Sequence, residues 1–161
     1  MTNLISNGMF INQQFEPWTS PNLGTPVFTE YKSEETRNTY SLLLRPDTQI
    51  DQQVEASMEP KDFTVNFQLR AKIDAKAHMG KWLFVMITAR SGQEYHFESK
   101  LFTDLTDDWK TFDYQGLTRF PKDHEGLYMS VVSARKVDED GAADAPAQIT
   151  DMQLYASYLD E

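Results

Sequence analysis

The chain has 161 residues, no cysteine and a formal net charge of −10 at pH 7. That length supports one domain with a sizeable core, and the lack of cysteine excludes a disulfide framework and any thiolate metal site. Acidic residues spread along the chain would repel a phosphate backbone or an anionic bilayer, so neither nucleic acid nor membrane is an expected partner.

The N-terminal MTNLISNGMFINQQFEPW has no basic leader and no apolar run of signal length. It reads as the start of a cytoplasmic product, or of one released without a classical signal or carried in a virion. NLIS reads as a short apolar strand before Asn7-Gly8, a turn-forming pair. Pro21, Gly24 and Pro26 mark a loop. YSLLLR is then a strand ended by Arg45-Pro46, and a further short strand is expected from Ile50 to Ala56.

The clearest pattern comes next, in DFTVNFQLRA and KWLFVMITAR. In the first run Phe63, Val65, Phe67 and Leu69 share one side while Thr64, Asn66, Gln68 and Arg70 share the other, the period of a half-buried strand. In the second run Leu83, Val85 and Ile87 share one side, yet Trp82, Phe84 and Met86 on the other are also apolar. One side must meet the core, and the other needs a second explanation. Ser91-Gly92 signals a hairpin into QEYHFESKLF. WKTFDYQGL, GLYMSVVSAR and ITDMQLYASYL each resume strand character, separated by hydrophilic loops. No stretch carries helical period, and no linker divides the chain. Residues 1–161 therefore read as a single all-β domain, an antiparallel two-sheet β-sandwich.

The order of these segments resembles the xylanase-associated type of carbohydrate-binding module, within the galactose-binding-like jelly rolls. The resemblance is carried by Asn3-Leu4, Asn7-Gly8, Phe10 and Trp18 at the start and by the strand from Asp62 to Ala71. It continues with Trp109, Lys110 and Phe112 after Thr106, Asp107 and Asp108, and ends with Ile149, Asp151 and Leu154. It implies a jelly roll that binds carbohydrate in a lectin-like, non-catalytic way, on a concave sheet or at its loop edge. It also implies core roles for Trp18, Trp109 and Phe112, and a structural calcium for which Asp151 is the matching ligand. Ile11 stands where many members of that group carry a further calcium-binding acid.

No enzyme signature is present. His78, His96 and His124 are isolated from one another and show no metal-ligand spacing. Glu34, Glu35, Asp104, Asp107, Asp108, Asp138, Glu139 and Asp140 fall in polar loops and read as solvated surface. Function is then left to aromatic and amide side chains. If the two central strands lie side by side, Trp82, Phe84 and Met86 form an apolar strip beside Asn66, Gln68 and Arg70, suited to a glycan or polysaccharide. The rival reading is a virion or assembly-type structural domain whose partner is a protein, a second copy of the chain included. Fold alone does not choose between them.

Overall fold

The computed structural model describes residues 2–31, 38–73, 81–135 and 146–160. In chain order the described residues form β1 (Phe28–Glu30), β2 (Tyr40–Leu44), β3 (Thr48–Gln53), β4 (Phe63–Ile73) and β5 (Lys81–Ser91). These are followed by β6 (Glu94–Phe102), β7 (Lys110–Gln115), β8 (Glu125–Arg135) and β9 (Ala147–Tyr158). The helical content of the described residues is one 3-10 turn, Ile11–Gln13. Two antiparallel sheets result, a five-stranded one in the order β1-β2-β9-β4-β7 and a four-stranded one in the order β3-β8-β5-β6. The expected β-sandwich is the observed fold.

Period-two alternation places the core. Val65, Phe67 and Leu69 of β4 and Leu83, Val85 and Ile87 of β5 are fully buried or nearly so and belong to one apolar cluster between the sheets. Phe67 meets Phe102 of the opposite sheet edge to face at 6.4 Å, and Phe102 meets Phe112 at 5.2 Å. A polar tie reinforces this margin of the sandwich. The Glu98 carboxylate on β6 accepts hydrogen bonds from the Tyr114 hydroxyl at 3.0 Å and from the backbone N–H groups of Leu117 and Thr118 at 3.2 and 2.8 Å.

The segment expected as an opening strand is instead an ordered loop. Leu4 N–H donates to Leu154 O of β9 at 2.8 Å, and Leu4 and Ile5 are buried. A second backbone bond, from Met152 N–H to Gly8 O at 3.2 Å, ties the segment to β9, but no regular ladder joins the two, and Asn7 turns the chain between them with a φ of 52°. The Asn7 side chain then ties the loop leading to Trp18 together, its Nδ2 donating to Gln14 O at 2.7 Å and Glu16 O at 2.9 Å while Oδ1 accepts from Ile11 N–H at 2.8 Å. Trp18 closes the loop against the core, buried to 1% exposure, with Nε1 donating to Asn7 O at 3.1 Å. Gly8 lies against β9, where a Cβ would sit 2.2 Å from Met152 O.

At that contact β9 carries an extra residue. Gln68 pairs with Gln153 and Arg70 with Thr150, so Asp151 and Met152 together oppose Leu69. Asp151 absorbs the irregularity with a φ of 54°. This β-bulge decides which way the rest of β9 faces.

Candidate ligand-binding face

The two central strands are not neighbours. β4 runs between β9 and β7, whereas β5 runs between β8 and β6 in the other sheet. With their apolar sides facing each other across the core, their outward sides point away from each other. Trp82, Phe84 and Met86 therefore do not lie beside Asn66, Gln68 and Arg70. The combined strip expected from sequence is divided between the two outer faces of the sandwich.

The half on the five-stranded sheet gains other partners. Across β7, β4 and β9 the outward residues fall into rows: Gln115, Asn66 and Tyr155; Asp113, Gln68 and Gln153; Thr111, Arg70 and Thr150. Lys72 comes after them, paired with Gln148. The first two rows, Gln153 excepted, line a depression of about 470 Å³ bounded by Asn66, Gln68, Asp113, Gln115 and Tyr155. Its side chains hold one another: Asn66 Nδ2 donates to Ser157 Oγ at 2.8 Å, Gln153 Nε2 to Asp151 Oδ1 at 2.8 Å, and the Tyr155 hydroxyl to Gln153 Oε1. Asn66 Oδ1 is buried and has no hydrogen-bond partner among the described residues. Amides both donate and accept, which is what a surface needs to meet hydroxyl groups.

The other end of the face is aromatic and cationic. Tyr31, just past β1, and Trp109, just before β7, meet edge to face at 5.0 Å. The Arg70 guanidinium lies 5.7 Å from the centre of the Tyr31 ring, and Lys72 Nζ lies 5.2 Å from that of Trp109. Arg70 donates from Nη1 to the Tyr31 hydroxyl and from Nη2 to Trp109 O at 3.4 Å. Trp109 is thus half-buried at the margin of this face, not a core residue. Trp18 and Phe112 are buried as expected.

Sequence reasoning names Asn66, Gln68 and Arg70 for the outward side of β4 but not Asp113, Gln115, Gln153 and Tyr155 beside them, whose place depends on which strands flank β4. The other half of the expected strip lies on the outer face of the four-stranded sheet. There Phe84 stands between Leu101 and Val132, Met86 between Ser99 and Ser130, and Thr88 between Phe97 and Tyr128. Phe97 is 60% exposed and Tyr95 71%, so this side presents apolar surface to solvent.

The residues present do not fit the calcium site that the resemblance implied. Asp151 Oδ1 is engaged by Gln153. Among the described residues no group of three or more His, Cys, Asp or Glu side chains could hold a metal ion. The Gln14 and Glu16 carbonyls in the facing loop already accept from the Asn7 amide. A hard cation needs six to eight oxygens, roughly, and the acids here are too few.

The two described carboxyls whose pKa is displaced, Glu98 and Asp62, are both lowered. Burial alone would raise Glu98, but hydrogen bonds from Thr118, Tyr114 and Leu117 outweigh it and hold the carboxyl below its ordinary value. Asp62 is held down by the Lys122 backbone N–H and by Arg119. A general acid needs the opposite displacement. His96 and His124 serve as packing partners of Phe120 and Phe63. His78, Glu34, Glu35, Asp138, Glu139 and Asp140 lie outside the described residues.

No family model and no curated protein matches the chain by sequence. Solved structures do. A family 16 carbohydrate-binding module superimposes with a TM-score of 0.65 at 15% identity, over 95% of this chain and 99% of that one. The fold is shared with carbohydrate-binding modules. The CBM22-1 xylan-binding domain from Paenibacillus barcinonensis superimposes with a TM-score of 0.60 at 12% identity, over 99% of this chain and 97% of that one. The enzymatically active domain of tailspike protein 4 from bacteriophage CBA120 is also similar, with a TM-score of 0.62 at 13% identity, over 96% of this chain and 21% of the tailspike chain.

Proposed function

We propose that the protein is a non-catalytic module that binds a glycan along the outer face of the five-stranded sheet. The observation that carries this reading is the row Gln115–Asn66–Tyr155 and the pair Asp113–Gln68 around one depression. Amides and a carboxylate offer donors and acceptors to sugar hydroxyls, and the Tyr155 ring offers an apolar plane to the C–H side of a sugar. The shared fold with a xylan-binding domain supports the class of ligand. Binding of the purified chain to a glycan array, repeated with Gln68→Ala, tests the reading. Selective binding that the substitution weakens supports it; binding that survives the substitution unchanged places the ligand elsewhere.

The exposed apolar residues of the other sheet favour a second reading, a structural or protein-interaction domain of the virion or assembly type. Tyr95 and Phe97 lie on the outward side of β6, an edge strand. Such a surface is characteristic of contact with protein. Replacing both by Ser should then change the solution mass or release a bound partner, with glycan binding unaffected.

A further inference from the structure

The face is not uniform along β4. From Asn66 to Lys72 its outward side chains pass from two amides to two cations, and the cations stand where Tyr31 and Trp109 meet. With 25 acidic residues against 15 basic ones, a cation in this chain readily finds a carboxylate. Lys61 has Glu59, Arg90 has Glu125 and Arg119 has Asp62. Arg70 and Lys72 form no ion pair with a described carboxylate. Each is held instead against an aromatic ring, which fixes a cation in place without cancelling its charge.

Arg70 is also underused as a donor. Of the five N–H groups of a guanidinium, one on Nη1 is given to the Tyr31 hydroxyl and one on Nη2 to Trp109 O, while the buried Nε has no partner among the described residues. Of the described acids on these strands, Asp113 stands opposite Gln68, while Asp151, in the bulge between the Gln68 and Arg70 rows, is engaged by Gln153. Along β4 the sheet therefore sets hydroxyl-matching amides with a carboxylate at one end and, at the other, two cations that are held against rings and paired with no described carboxylate.

We propose, resting on the glycan reading above, that the ligand is an acidic glycan. Its anionic group, the carboxylate of a uronic acid or a sulfate ester, is received by Arg70 and Lys72 while a neighbouring sugar occupies the depression at Asn66 and Gln68. The planar guanidinium suits a two-oxygen acceptor and the ammonium adds a point charge.

The test compares matched ligands by titration calorimetry at low salt: oligogalacturonate against its methyl ester, and a sulfated galactan oligosaccharide against its desulfated form. The acidic member of at least one pair is expected to bind at least tenfold more tightly. The advantage should shrink as sodium chloride is raised, because mobile ions screen the two cations. Which pair responds separates carboxylate from sulfate. Lys72→Gln, with its unfolding midpoint checked, should reduce the ratio of acidic to neutral affinity to within about threefold in that pair. Equal binding within both pairs overturns the anionic group and leaves the glycan reading standing. Failure of every member of both pairs, together with an array of neutral and acidic glycans that shows no binding, overturns both.

Discussion

Asn66 and Tyr155 stand directly opposite each other across β4 and β9, with Gln115 on the far side of Asn66. One amide thus sits between a ring and a second amide over the depression. Tyr155→Ala is expected to weaken glycan binding at least tenfold, about 1.4 kcal/mol, while the half-buried ring costs little stability. Trp82→Ala should leave affinity unchanged, because Trp82 lies on the opposite outer face. Calorimetric affinities of the two variants decide this; an equal loss in both would remove the assignment of the face.

The tryptophans divide in stability as well. Trp18 is 1% exposed and bonded to Asn7 O, so Trp18→Ala should cost about 3 to 5 kcal/mol, the usual range for a large buried aromatic. Trp109→Ala should cost about 1 kcal/mol, the scale of an edge-to-face ring contact and a cation held over a ring at a half-exposed site. Urea unfolding of both variants measures the difference, and equal costs would place Trp109 in the core after all.

These residues mark the limit of what sequence alone discloses. Alternation in β4 and β5 makes the core legible residue by residue, since period two reports which side chains share a face of their own strand. It says nothing about which sheet a strand joins, and so it merges the outward halves of β4 and β5 into one strip. Tyr155 is hidden for another reason. Ile149, Met152, Leu154 and Ala156 point inward with a spacing of three and then two, and the bulge at Asp151 breaks the alternation that would reveal the outward residues of β9. Trp109 is drawn to the core only by family resemblance, whereas its neighbour Tyr31 is distant in sequence and leaves no local trace.

Gly8→Ala should destabilise the protein by about 1 to 3 kcal/mol, the scale of overpacking in a closed contact. The added methyl would meet the Met152 carbonyl, a backbone group that cannot rotate away. A thermal unfolding midpoint unchanged by the substitution would show that the loop and β9 separate freely.

Stability should fall on acidification. Glu98 is held below its ordinary value of 4.5 by hydrogen bonds that outweigh its burial. A carboxyl depressed in the folded state contributes stability that is complete above the unfolded value and lost as pH drops through the folded one. Asp62 is lowered from 3.8 and acts in the same direction. The unfolding midpoint should decline below about pH 4.5, less steeply for Glu98→Gln, which should itself cost about 1 to 3 kcal/mol at neutral pH. An equally steep decline in that variant would assign the acid sensitivity to other groups.

Chelation should have little effect. With the Asn7 amide on two loop carbonyls and no described cluster of acids, EDTA is expected to move the unfolding midpoint by no more than about 2 °C, well under the shift for 1 kcal/mol. A large fall restored by calcium would show that other oxygens complete a site with Asp151.

The extra residue at Asp151 has a consequence for how such a face can change over generations. Before it, odd-numbered Ile149 points into the core; after it, even-numbered Met152, Leu154 and Ala156 do. Were this residue forced into a regular ladder instead of a bulge, the two sides of the remaining strand would exchange, turning Gln153 and Tyr155 inward and Leu154 out; its loss would instead pair Met152 with Leu69 and leave both sides as they are. Point substitutions can therefore retune ligand preference one side chain at a time on a strand whose facing the bulge preserves. Lineages carrying this face should vary at positions 153 and 155 while positions 152, 154 and 156 stay apolar.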